Sequence, residues 1–224
     1  MQAYLLMRII VILIVLAEII VLNSCSLGFK TLAGVRNPKV ETKESIIKFL
    51  DKTGYGFDYV FTLKGEKDSA IIINNVTSGF GTAFLFDSLG TRYCLKSNGM
   101  CGGSIIYNTF EDVEAYFDPC SNDSLKLHHF LSKMEPLYSN LEYSLPNNHK
   151  YYLIITWSKF YKRNFNFKYL KKLKEESKAD VEVIWVNADL QESWGLKKGK
   201  KMKFKIKFLG NGEGELIFKK IPYI

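Results

Sequence analysis

The residues best suited to chemistry in this chain are its four cysteines, Cys25, Cys94, Cys101 and Cys120. Thiol–disulfide exchange needs a thiolate of lowered pKa, usually at a helix N-terminus, with a resolving thiol one turn on. No two of these cysteines stand as Cys-x-x-Cys, and their spacing is not that of a zinc site either. Cys94 and Cys101 flank Lys96-Ser97-Asn98-Gly99, which reads as a turn. A Cys94–Cys101 disulfide is therefore the first expectation in an oxidising compartment, with three buried free thiols as the alternative. His128 and His129 are adjacent on an expected helix, so they point about 100° apart and cannot chelate one metal as an i, i+4 pair does. His149 stands alone in a loop. No Gly-x-Ser-x-Gly occurs, and Gly102-Gly103-Ser104 fits no phosphate-binding spacing and reads as a turn. No metal, cofactor or catalytic residue is expected.

A second group lies past the end of an apolar strand. Asp189, Glu192 and Trp194 follow the run Val181-Glu182-Val183-Ile184-Trp185-Val186-Asn187, and Trp157, Phe160 and Tyr161 follow a similar run. Open α/β sheets place ligands at the carboxyl ends of their strands. Phe160, Asp189, Glu192 and Trp194 are accordingly a candidate binding edge, against the alternative of capping and core packing.

The elements that position these residues follow from periodicity. Thr42 to Ser45 opens a helix with Ile46, Ile47, Phe49 and Leu50 on one side, ending at Lys52-Thr53-Gly54. Residues 57–63 alternate as a strand, 69–75 form a short helix, and 81–93 form a hairpin around a Gly90 turn. Helices are expected over 110–117 and 125–138, then a boundary loop at Leu145-Pro146-Asn147-Asn148. Residues 151–157 are continuously apolar, as in a strand buried on both faces. An amphipathic helix at 166–177 leads to the strand at 181–187, a β-α-β order with a right-handed crossover. The chain closes with a hairpin of 202–209 and 215–221 about Gly210-Asn211-Gly212-Glu213-Gly214.

The composition, 47% hydrophobic and 24% charged over 224 residues, suits one sizeable core or two small ones. The formal charge of +8 is concentrated late: residues 151–224 hold 17 Lys/Arg against 8 Asp/Glu, and residues 1–150 hold 14 against 15. This field draws anionic lipid, polysaccharide or an acidic partner, or is a solvated face; no nucleic-acid partner is expected.

Arg8, the apolar run 9–22 and then Asn23-Ser24 form a signal-peptide layout. The run is short for a membrane span and contains Glu18. Leu22-Asn23-Ser24-Cys25 resembles the lipobox of bacterial lipoproteins, which implies acylation (palmitate among the chains) of Cys25. Ser26 after it resembles lipoproteins sent to an outer membrane. Residues 1–24 would be the signal, 25–41 a tether, 42–145 an N-terminal α+β domain and 146–224 a C-terminal domain.

Ile154-Ile155-Thr156-Trp157, the following helix, Val186-Asn187-Ala188-Asp189 and a terminal hairpin resemble the thioredoxin fold over about 148–224. The hairpin within 57–120 more weakly resembles a thioredoxin C-terminal half, which implies a second degenerate unit in the first domain. The stretch Thr156-Trp157-Ser158-Lys159-Phe160 resembles a signature of exported lipoproteins with a thioredoxin-like C-terminal domain lacking Cys-x-x-Cys. Ser158 and Tyr161 occupy the two thiol positions after Trp157, and the proline expected before the last hairpin is missing at Lys200-Lys201. The expected function is a membrane-anchored, redox-inactive thioredoxin-like lipoprotein, a binding or scaffold module for an envelope partner. The alternatives are a divergent oxidoreductase using Cys94 and Cys101, and a peripheral binder of anionic lipid or polysaccharide through residues 197–207.

Overall fold

The computed structural model describes residues 37–65, 83–96, 102–121, 125–138, 149–161, 167–202, 204–210 and 213–218. Cys25, the signal, most of the tether, Cys101, the helix expected at 69–75 and the loop at 145–148 lie outside the described residues. The strands are β1 (Tyr59–Leu63), β2 (Ala83–Asp87), β3 (Arg92–Leu95), β4 (Phe117–Pro119), β5 (Met134–Pro136), β6 (Tyr151–Trp157), β7 (Val181–Asn187), β8 (Phe204–Gly210) and β9 (Glu213–Phe218). The α-helices are α1 (Lys43–Asp51), α2 (Gly102–Glu111), α3 (Val113–Tyr116), α4 (Leu127–Ser132) and α5 (Phe167–Glu176).

Seven strands form one mixed sheet in the order β4-β3-β2-β6-β7-β1-β5. The middle three, β6, β7 and β1, are parallel. Antiparallel β2 extends the sheet beside β6, and antiparallel β5 closes the other edge beside β1. All seven side chains of β6 are buried, as its unbroken apolar run requires.

Alternation sorts the two faces. Leu85, Leu153, Ile155 and Val183 face α2 and α5, meeting Ile106, Phe110 and Leu170. Val60 and Trp157 carry the same layer onward to Ile46 and Leu50 of α1 and to Phe167 of α5. Phe84, Phe86, Ile154, Ile184 and Val186 face the opposite way, against Leu127 and Phe130 of α4 and the segment from Ala188 to Met202. Helix α1 begins where its sequence signals: Thr42 Oγ1 accepts from Ser45 N at 3.2 Å and Ser45 Oγ accepts from Thr42 N at 3.1 Å, a reciprocal capping box.

Five expectations need correction. The boundary at 145/146 does not separate two domains, because β1 and β2 from the first part pair with β7 and β6 from the second. The terminal hairpin β8–β9 is its own two-stranded sheet and does not join the main one. Gly102-Gly103-Ser104 opens α2 instead of forming a turn, and the helix expected over 110–117 shrinks to α3, broken at Asp112, which caps it by accepting from Ala115 N. The helix expected over 125–138 stops at Ser132, and Met134–Pro136 pairs with β1.

The cysteine pairing is also corrected. Cys94 is bonded to Cys120 and not to Cys101. Strands β3 and β4 are antiparallel with Cys94 opposite Asp118, and Cys120 N donates to Arg92 O at 2.9 Å, so the two cysteines are drawn to a Cα separation of 5.0 Å. Closing a loop of 26 residues contributes about 3 kcal/mol in the chain-entropy picture. Replacing Cys94 and Cys120 together by Ser is expected to cost about that much in denaturant unfolding, whereas Cys101→Ser leaves the midpoint in place. Non-reducing peptide mapping should recover the Cys94–Cys120 peptide pair; a Cys94–Cys101 pair contradicts the fold.

Candidate functional site

The carboxyl ends of β6 and β7 bring Trp157, Ser158 and Asp189 together, as the sequence pattern expects of parallel neighbours in register, Trp157 opposite Asn187. Ala188 N donates to Trp157 O at 2.8 Å, so the two strand ends are fastened together. Both oxygens of the Asp189 carboxylate accept from Lys159 N, at 3.1 and 3.0 Å, which holds the 3-10 turn Lys159–Tyr161. Asn187 Nδ2 donates to Asp189 Oδ2 at 2.8 Å, and Asp189 N donates back to Asn187 Oδ1 at 3.1 Å.

The sequence leaves open whether this edge binds or packs; the structure fills it. Phe160, Asp189 and Trp194 are all buried, and of the proposed edge Glu192 alone is exposed. Residues 38–41 pair with the segment that follows β7. Glu41 N donates to Leu190 O at 2.7 Å and Glu192 N to Glu41 O at 3.0 Å. The Lys159 ammonium crosses to Glu41 Oε2 at 2.7 Å, where Ser45 Oγ also donates, at 2.6 Å. Trp194 Nε1 donates to Leu63 O at 3.1 Å, so this ring is a structural anchor. Gln191 Nε2 donates to Thr62 Oγ1 beneath it.

Burial pushes the Asp189 carboxyl up to about 6, with the Glu41 charge adding to it, while the Asn187 side chain and the Lys159 amide and ammonium oppose the rise. Glu41 shifts the other way: although burial raises it, hydrogen bonds from Lys159 and Ser45 and the charges of Lys159 and Lys39 carry it below the usual carboxylate range. Ser158 is 2% exposed, and its Oγ, like Trp157 Nε1, finds no hydrogen-bond partner among the described residues. A nucleophile at this position would be shut off from solvent. The backbone of Tyr161 completes the turn; its side chain lies outside the described residues.

Comparison with family models, with the curated proteins and with solved structures finds no match to this chain. The geometry alone therefore identifies what is open to a ligand.

Among the described residues an open cleft lies elsewhere. A cleft of about 310 Å³ lies between the loop at Tyr55–Asp58, α2 and α5, floored by Val183 and Trp185. Phe57, Phe167 and Trp185 surround it with ring centroids 5.2 to 5.7 Å apart, edge-on or tilted, the arrangement aromatic quadrupoles favour. Lys171, Lys174, Glu175 and Asp58 stand on its rim, with Lys174 bonded to Glu182 at 2.9 Å. Sequence reasoning missed this cleft. Its signal was a bulky Trp185 within an otherwise aliphatic strand, a ring that the helices leave half-buried. The histidines stay outside both places: His149 Nδ1 bonds Asp180 at 2.7 Å and Nε2 faces Glu182 at 3.3 Å. Among the described residues no group of His, Cys, Asp and Glu gathers as metal ligands.

Two measurements test these environments. Asp189 is protonated in the folded chain between its ordinary pKa of 3.8 and about 6, so its contribution is fully present below 3.8 and is lost as pH rises through about 6. Stability of the native chain relative to Asp189→Asn should therefore fall between pH 4 and 7 by about 3 kcal/mol, measured by urea unfolding at each pH; a flat difference contradicts the buried carboxyl. Trp157 and Trp194 are each 1% exposed, leaving Trp185 as the accessible indole of the 3. Trp185→Phe should abolish acrylamide quenching of the folded protein, and undiminished quenching would place the cleft wrongly.

Proposed function

We propose that this chain is a membrane-anchored, redox-inactive module of thioredoxin-like architecture that binds a partner in the bacterial cell envelope. The observation that carries the reading is the strand order β3-β2-β6-β7-β1 around a β-α-β unit with a buried serine at its active-site turn. The resemblance read in the sequence calls for a β-α-β unit flanked on its sheet by an antiparallel hairpin, with helices of both parts on one face. Here β6-α5-β7 is the unit, β2–β3 is the hairpin, and α5 and α2 share a face. The hairpin comes earlier in the chain instead of later, so the architecture we propose is a permuted one, and the weak likeness of 57–120 to a thioredoxin C-terminal half supports that reading.

Loss of exchange chemistry follows from two features. Ser158 stands where the attacking thiol would be and is buried. Cys94, needed by the oxidoreductase alternative, is held in a disulfide with Cys120 between two strands and not at a helix N-terminus. That disulfide also favours an oxidising compartment, in keeping with export and acylation at Cys25. The aromatic cleft at Trp185 is the surface offered to a partner, and its size is at the lower end for a ligand pocket.

Expressed as the full chain in an envelope-bearing bacterium, the protein should incorporate labelled palmitate, sediment with membranes through alkaline and high-salt washes, and enter detergent. Cys25→Ala should leave it unlabelled and soluble. Purified protein should not accelerate insulin reduction by a dithiol. Membrane retention without label, or insulin reduction abolished by Cys101→Ser, would each overturn the reading.

A further inference from the structure

The place where the described chain begins carries an unusual charge. Residues 38–41 are zipped between two other segments: Met202 N donates to Pro38 O at 2.8 Å, Val40 N to Lys200 O at 3.0 Å, and Gly199 N to Val40 O at 3.0 Å. Pro38 and Val40 are buried beneath this ladder. Residues 38–41 are therefore held at a fixed point, beside the turn over 195–201.

That turn is built to display cations. Gly195 and Gly199 both take left-handed backbone, at φ 74°, and the hydrogen bonds on either side of Gly199 fix the loop. A side chain on Gly199 would meet Lys39 Cε at 3.6 Å, so the lysine stem lies along the bare glycine. Lys39, Lys197, Lys198, Lys200 and Lys201 are all exposed, and none is within ion-pair distance of a carboxylate among the described residues. Lys39 and Lys198 act through space on Glu41 and Glu44, and Glu192 is the other exposed carboxylate of this region. Glu41 is already engaged by Lys159, so the surface stays net positive. The chain continues into β8, whose sequence adds Lys205 and Lys207 at alternate positions.

We propose that this five-lysine face, at the exit point of the N-terminal segment, lies against an anionic lipid surface and sets the orientation of the protein on its membrane. The proposal rests on the anchored reading of Cys25. From Cys25 to Asn37 the chain can extend at most about 40 Å, and electrostatic attraction to headgroups acts within about 8 Å at physiological salt. The tether therefore brings the lysines repeatedly within range; the anchor retains the protein, and the polybasic patch decides which face meets the headgroups. The same orientation turns the cleft at Trp185, on the layer of α2 and α5, toward the sheet face opposite to that packed against residues 188–202.

The test uses the acylated full chain with vesicles of phosphatidylcholine alone or mixed with phosphatidylglycerol. Sedimentation reads the anchor, and acetylation by an amine reagent, read by peptide mass spectrometry, reports the face. On mixed vesicles at low salt, Lys39 and the lysines of 197–201 should be protected about fivefold relative to phosphatidylcholine vesicles, while Lys171 and Lys172 of α5 are modified equally on both. Raising the salt, or replacing Lys197, Lys198, Lys200 and Lys201 by Glu, should remove the difference without releasing the protein. Co-sedimentation with equal acetylation on both vesicles overturns the face while the anchor stands. Failure to sediment with phosphatidylcholine defeats the anchor, and the face is then judged on the mixed vesicles, where absence of binding overturns it. Protection by a soluble polyanion but not by phosphatidylglycerol overturns the lipid assignment.

Discussion

The structure depends on one constraint: β6 is buried at every position, Thr156 included, so it needs a partner strand on each edge and a packed layer on each face. Its neighbour in the chain, β7 through α5, meets the need on one edge alone. The other edge is supplied by β2, from far earlier in the sequence. With both edges taken, the two halves share a single core. The face layers follow in turn, α2, α5 and α1 on one side and α4 with residues 188–202 on the other.

The carboxyl ends of the parallel strands are the usual place for a ligand in such a sheet. Here the place is closed by a buried carboxylate. Asp189 accepts the backbone of the turn after β6, Lys159 from that turn reaches Glu41, and Glu41 brings the N-terminal segment down over the strands. Polar groups that elsewhere serve catalysis here satisfy one another, leaving Ser158 Oγ and Trp157 Nε1 as the two buried polar side-chain atoms without partners among the described residues.

Much of this was legible from the residues. The capped start of α1, the β2–β3 hairpin, β6, α5 and β7 follow from capping types and periodicity and stand within a few residues of where those place them. The pairing of β2 with β6 was not legible, because a local pattern says that a strand is buried without saying which remote strand buries it. The same limit misled the cysteine pairing: Lys96-Ser97-Asn98-Gly99 pointed to a near partner, while the register of β3 with β4 selected Cys120. At the site, the grouping of Trp157, Ser158 and Asp189 was visible. Their burial was not, because Trp157 is covered by Ile46 and Leu50 of α1 and Phe167 of α5, while residues 38–41, which read as a featureless tether, pair with residues 190–192 just beyond Asp189.

The sequence distance between β2 and β6, and between β1 and β7, also governs when this protein can fold. A sheet whose centre is made last cannot close while the chain is still being synthesised, since β1 and β2 wait for residues 151–187 to appear. Non-local pairing of this kind makes folding slow. The chain therefore stays open at its centre until its final third exists, and the pairing that gives the two halves one core also sets the moment of its closure.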